Sequence, residues 1–233
     1  LQMKTIGLIG GMSWESSATY YQVINQTIKE QLGGLHSAKC ILYSVDFQEI
    51  EEYQANGEWD KSAEVLSHAA ISLEKAGAHF ILICTNTMHK VAPQIQSKIK
   101  IPILHIADLT AEELLKRSIK KVALLGTKYT MEQDFYKNRI IEKGIEVLIP
   151  DDADRILVNQ TIYEELCLGV ISPVSKKTFL EIMDKLAAEG AEGVILGCTE
   201  IGLLVNQQDT EVPLFDTTFI HAISAALYAI ESN

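Results

Sequence analysis

Three segments of the sequence set chemically capable side chains directly behind short apolar runs. The first is Gly7-Leu8-Ile9-Gly10-Gly11-Met12-Ser13-Trp14-Glu15, the second Cys84-Thr85-Asn86-Thr87-Met88-His89, and the third Gly197-Cys198-Thr199-Glu200. Glycines in the first allow a tight turn and a close backbone approach to a ligand, and a helix starting there favours an anion. The spacing is neither that of a phosphate-binding Walker loop nor that of a dinucleotide fingerprint. Hydroxyl and amide groups in the second suit a carboxylate, again beside N–H groups at a helix start. In the third, a cysteine at a helix N-terminus is expected to have its thiolate stabilised, with a pKa a unit or more below ~8.5. Each segment also has a plainer explanation. Ser13 serves as a helix cap, Thr and Asn are favoured caps in their own right, and a free cysteine is most often a small buried apolar side chain. His89 alone reads as a packing or helix-surface residue. Its place directly after a strand favours Cys198 as functional, whereas Cys40 and Cys167 lack that context and read as structural.

Composition narrows the chemistry. With 31 acidic against 20 basic residues the formal charge is −11, which argues against a general nucleic-acid binder, since that needs clustered Lys and Arg. No apolar run approaches the ~18–20 residues needed to cross a bilayer, so no membrane partner is expected. The 47% apolar fraction belongs to an ordinary globular chain with a large core. Cys40, Cys84, Cys167 and Cys198 are widely spaced, and so are the six histidines, so neither a disulfide framework nor a metal site is expected. No secretory leader is expected either, and a reduced, cytoplasmic setting follows.

Short runs rich in Ile, Leu and Val at 5–9, 39–45, 80–84, 103–106, 121–125, 146–149, 194–196 and 213–215 read as strands buried on both faces. Amphipathic stretches at 14–31, 60–75, 92–99, 110–116, 131–142, 153–168, 175–189 and 218–230 read as helices between them, the alternation of βαβ units. An internal repeat sharpens this. Ile6-Gly7-Leu8-Ile9-Gly10 resembles Val122-Ala123-Leu124-Leu125-Gly126. The run Gly77 to Asn86 resembles Gly190 to Thr199, and Ile101-Pro102-Ile103-Leu104 resembles Val212-Pro213-Leu214-Phe215. The offsets, from Ile6/Val122, Thr85/Cys198 and Pro102/Pro213, are 116, 113 and 111 residues. Three matches in one order predict two half-chains of one design. The expected fold is therefore α/β, with two pseudo-symmetric lobes, each a parallel sheet flanked by helices. The lobes are expected over 3–103 plus 213–233 and over 104–212. Ligands of such sheets sit beyond the carboxyl ends of the strands, so the active site is expected in the inter-lobe cleft.

Taken together, Gly10-Gly11-Met12-Ser13, Thr85-Asn86-Thr87-Met88-His89 and Gly197-Cys198-Thr199-Glu200 resemble the cofactor-independent aspartate/glutamate racemase family along nearly the whole chain. That resemblance implies two lobes with one catalytic residue from each, acting on opposite faces of an amino acid α-carbon without pyridoxal phosphate or metal, in a homodimer. Here Thr85 stands where the family usually has its first cysteine. Cys84 lies one residue early, where an extended chain turns its side chain to the opposite side. The family's lysine position falls on Cys167, and its side-chain-binding arginine is absent, with Gln54 the nearest polar replacement. These departures resemble the L-aspartate/glutamate-specific subgroup with threonine opposite cysteine. The resemblance makes Cys198 the base, since an aliphatic hydroxyl is a very poor one, and Thr85 the group returning a proton, through water. It also implies substrate contacts from Met12, Ser13, Gln54, Asn86, Thr87, Thr199 and Glu200. Glu200, or Glu165 from a neighbouring helix, is expected to control the Cys198 proton. For opposite faces of one carbon, Thr85 and Cys198 are expected roughly 7–8 Å apart. Two alternatives remain: an amino-acid-binding or regulatory protein using the same cleft, and a one-cysteine decarboxylase of the same superfamily.

Overall fold

The computed structural model describes residues 2–231. Packing divides the chain into two units, one running to Ile106 and resuming at His221, the other spanning Ala107–Ile220.

The first unit begins with β1 (Ile6–Gly10), α1 (Trp14–Leu32), β2 (Cys40–Ser44), α2 (Phe47–Ala55), α3 (Trp59–Lys75) and β3 (Phe80–Ile83). A single 3₁₀ stretch, Thr87–Val91, then leads into the five-residue α4 (Ala92–Gln96). All three strands are parallel, in the order β2-β1-β3. Side chains alternate across β1 and β3, and each face has its own core. Ile9, Ile81 and Ile83 join Leu66, Ala69, Ala70 and Leu73 of α3 on one face. On the other, Ile6, Leu8, Phe80, Leu82 and Cys84 join Tyr20 and Ile24 of α1 and the alanines 222, 225, 226 and 229 near the C-terminus. Burial on both faces explains why these strands read as continuous apolar runs. It also places Cys84 inside the alanine-lined core, away from the loop that follows.

The second unit contains α5 (Ile106–Lys116) from its second residue, β4 (Lys121–Gly126), α6 (Lys128–Glu132), α7 (Asp134–Ile141), β5 (Glu146–Leu148) and α8 (Asp152–Glu164). After them come α9 (Pro173–Ala188), β6 (Val194–Gly197), α10 (Ile201–Leu204), β7 (Leu214–Asp216) and the start of α11 (Thr217–Ile230). Its four parallel strands run in the order β5-β4-β6-β7. The expected repeat reappears in register: Ile9 pairs with Ile83 in the first sheet and Leu125 with Leu196 in the second.

The sequence-derived elements need four corrections. The expected strand at 103–106 shrinks to one bridge, Ile81 with Ile103, while its counterpart β7 is a full strand. The physical reason lies in two histidines, which take the Leu104 carbonyl and the Ile106 N–H that a longer ladder would use. Next, α2 was not anticipated, because only Ile50 and Gln54 of its nine residues are buried and the apolar period is weak. The helices expected at 131–142 and 153–168 each break in two, the second ending in a 3₁₀ turn, Leu166–Leu168, closed by Gly169 in the left-handed region. Finally, β7 pairs with β6, so the chain from 213 to 220 lies with the second unit rather than the first.

Candidate active site

The loop behind β1 is built on two glycines and a serine ladder. Gly11 adopts φ +93°, and a Cβ there would sit 2.3 Å from the Val45 carbonyl oxygen, so only glycine fits. Gly10 is needed because the Ser17 side chain lies against its Cα. Ser17 Oγ accepts the Gly11 N–H at 2.8 Å and donates to the Ser13 carbonyl at 3.1 Å. Ser13 caps α1, its side chain accepting the Ser16 N–H at 3.5 Å. Because the Gly11 N–H is taken by Ser17, it is not a free donor for an anion. Ser17 itself escaped the sequence reading. Its signal was the i+4 spacing from Ser13 on the first turn of α1.

Behind β3, Thr85 is half-buried while Asn86, Thr87 and His89 are buried. The expected side-chain cap is absent: Asn86 makes no cap hydrogen bond, and a 3₁₀ turn takes the place of a regular helix. His89 instead organises the loop, donating from Nδ1 to the Thr85 carbonyl at 2.7 Å. One core cluster holds Met12 of the first loop, Ile50 of α2 and Met88 of the second loop, so these three segments of the first unit pack together. Met12 is 3% exposed and its side chain is a core residue. Gln54, one helical turn beyond Ile50, is 4% exposed.

Behind β6, Cys198, Thr199 and Glu200 form one hydrogen-bonded group. The Cys198 thiol donates to Glu200 Oε2 at 3.3 Å, and the Thr199 hydroxyl donates to the same oxygen at 2.7 Å. Glu200 is 5% exposed. Gly197 is required here because a Cβ would meet the Leu125 carbonyl oxygen at 2.7 Å. The expected lowering of the Cys198 pKa is reversed. Removal from water, then the charges of Glu200 and Cys167, push the thiol well above its ordinary value, against one opposing hydrogen bond from the Glu200 N–H. The helix that was to stabilise a thiolate, α10, has four residues and begins beyond Glu200, too short and too far to outweigh a neighbouring carboxylate. Of the two acids considered, Glu200 touches Cys198, whereas Glu165 accepts a hydrogen bond from Ser175 on α9. Burial likewise raises the Cys84 thiol far above its usual range, leaving it an inert core residue.

Among the described residues no three His, Cys, Asp or Glu side chains gather to hold a metal ion, and no helix is long and apolar enough to cross a membrane. A surface groove of about 1000 Å³ on the first unit, lined by Tyr43, Tyr53, Lys61, His68 and Lys98, contains none of the expected site residues.

Parallel strands ending in polar loops define the class, an α/β protein of the kind that binds small ligands beyond its strand ends. The chain belongs to the Asp/Glu/hydantoin racemase family, whose profile matches residues 9–225, and is thus an isomerase. It is 60% identical to a Yersinia pestis protein provisionally assigned as an Asp/Glu racemase; the match covers 98% of this chain and 100% of that one, at a TM-score of 0.92. An aspartate racemase homologue from Pyrococcus horikoshii is 39% identical over 98% of this chain and 100% of its own, at a TM-score of 0.85. In sequence, the broad-specificity amino-acid racemase RacX of Bacillus subtilis is 27% identical over 162 residues, 68% of each chain.

Proposed function

We propose that this racemase interconverts L- and D-aspartate or glutamate, moving the α-proton between Cys198 and Thr85 without pyridoxal phosphate or metal. The observation that carries the reading is the thiol–carboxylate pair of Cys198 and Glu200 behind β6. Glu200 accepts the thiol proton, and the thiolate then removes the α-proton from the L-face. The surroundings that raise the thiol pKa make thiolate scarce but more basic, which suits a weakly acidic C–H bond. Charge developing on the α-carboxylate needs donors placed in advance, for which Ser13, Asn86, Thr87 and Thr199 are assigned. Thr85, relayed by water, returns a proton on the opposite face, which requires it to lie roughly 7–8 Å from Cys198. Met12 lines the site from its backbone, and Gln54 takes the place of the charged anchor for the side-chain carboxylate. Because the enantiomers have equal free energy in water, kcat/KM is the same in both directions.

Named relatives support this substrate class, and RacX, described as broad in specificity, supports a wider panel of amino acids. We assign the chain to a homodimer in a reducing cytoplasm, the latter supported by four free thiols. Incubation of the enzyme with L-aspartate, L-glutamate and a panel of neutral amino acids in D₂O tests the proposal. Loss of the α-proton signal together with appearance of the D-enantiomer is expected. Ligand-dependent stabilisation without exchange, or carbon dioxide release from a malonate, would contradict it in favour of a binder or a decarboxylase.

A further inference from the structure

Behind the Thr85 loop the first unit buries three imidazoles. The rings of His89 and His105 lie 4.4 Å apart between centroids, and those of His89 and His221 5.7 Å. Their partners fix where the protons sit. A backbone N–H can only donate, so the Ile106 N–H, 3.2 Å from His89 Nε2, makes that nitrogen an acceptor. The ring proton of His89 is then on Nδ1, where it donates to the Thr85 carbonyl at 2.7 Å. His221 is the mirror case. Its Nε2–H donates to the Leu104 carbonyl at 2.8 Å, and Nδ1 accepts the Tyr20 hydroxyl at 2.6 Å. Two neutral rings in opposite tautomers therefore grip the segment 104–106, and one of them extends that grip to the peptide of Thr85. At 1% exposure, His89 holds these bonds away from bulk solvent.

We propose that His89 is the positioning residue of Thr85, its Nδ1–H bond setting the Thr85 peptide, and so the direction of its hydroxyl, against segment 104–106. The proposal rests on the role given to Thr85 above. It separates the donor and the acceptor of the imidazole by function: the Nδ1–H bond to Thr85 serves proton return, whereas the bond that Nε2 accepts from Ile106 serves the chain path. Two variants divide them. His89→Asn sets an amide N–H near the Nδ1 position and keeps the donor to Thr85. His89→Gln reaches the Nε2 position, keeps an acceptor for Ile106 and loses that donor.

The test measures inversion and α-proton exchange of L-aspartate and L-glutamate in D₂O for the wild type and both variants. Folding is checked by far-ultraviolet circular dichroism and cooperative thermal unfolding. His89→Gln is expected to lower the ratio of inversion to exchange about tenfold, the worth of one hydrogen bond, with His89→Asn staying within about threefold of wild type. A structural role alone would lower both rates together in both variants, and that result overturns the proposal. A second readout needs no turnover: the ¹³C shift of the Thr85 carbonyl should move in His89→Gln and stay in place in His89→Asn. Wild type without any exchange would refute the proposed function, while the carbonyl shift would still decide the His89 coupling. Equal carbonyl shifts in the two variants would refute that coupling whatever the activity.

Discussion

Cys198 behaves as its neighbours dictate rather than as its position in the chain implies. The position of Cys198 directly behind a strand was legible, but the direction of its pKa was not. That direction is set by burial and by Glu200, whose carboxylate oxygen sits 3.3 Å from the sulfur. Removing that charge should lower the thiol pKa, so Glu200→Gln is expected to shift the pH midpoint of Cys198 alkylation by iodoacetamide downward. Cys198→Ala serves to identify the reacting site, and an upward shift or none would contradict the pairing. His221 makes the second prediction at this scale. Burial pushes its pKa down to about 4, against the Leu104 bond that favours the charged form. Its folded value lies below the ~6.5 of an unfolded histidine, so its contribution is complete above pH 6.5 and lost as pH falls toward 4. Unfolding free energy should therefore drop by about 2–3 kcal/mol more in wild type than in His221→Gln between pH 7 and 4.5. Parallel pH curves in denaturant melts would contradict this.

At the scale of elements, the central strands β1, β3, β4 and β6 were legible because each is short, apolar and buried on both faces. What stayed hidden depends on partners distant in sequence. The strand at 103–106 ends early because His89 and His221 take its backbone groups, and His221 lies 117 residues from Leu104. Similarly, α2 hid behind a weak period, and Ser17 behind an ordinary helical turn. Loop geometry is the testable consequence. Gly11→Ala combines a positive φ with a clash against the Val45 carbonyl and should cost about 3 kcal/mol or more. Gly144→Ala shares the positive φ, at +83°, with nothing within 4 Å, and should cost only about 1 kcal/mol. Equal midpoints in urea for the two variants would show that the β1 loop has room to relax.

For the whole molecule, the repeat in the sequence carried the most information. Matching offsets corresponded to two parallel sheets with matching registers, and the strand ends marked the three loops on which the proposed function rests. Met12 was legible only as part of its loop, since its side chain belongs to the core that joins α2 to both loops of the first unit. Thr85 and Cys198, equivalent in the repeat yet unlike in chemistry, make the central claim: one strong base and one weak acid serve opposite faces of an α-carbon. Exchange of the α-proton of L-aspartate and L-glutamate in D₂O, compared between wild type, Cys198→Ser and Thr85→Ala, tests it most directly. Cys198→Ser should abolish exchange, because a hydroxyl offers almost no anion at neutral pH. Thr85→Ala should block inversion while leaving some exchange with retention. Wild-type exchange rates in Cys198→Ser would contradict the central claim.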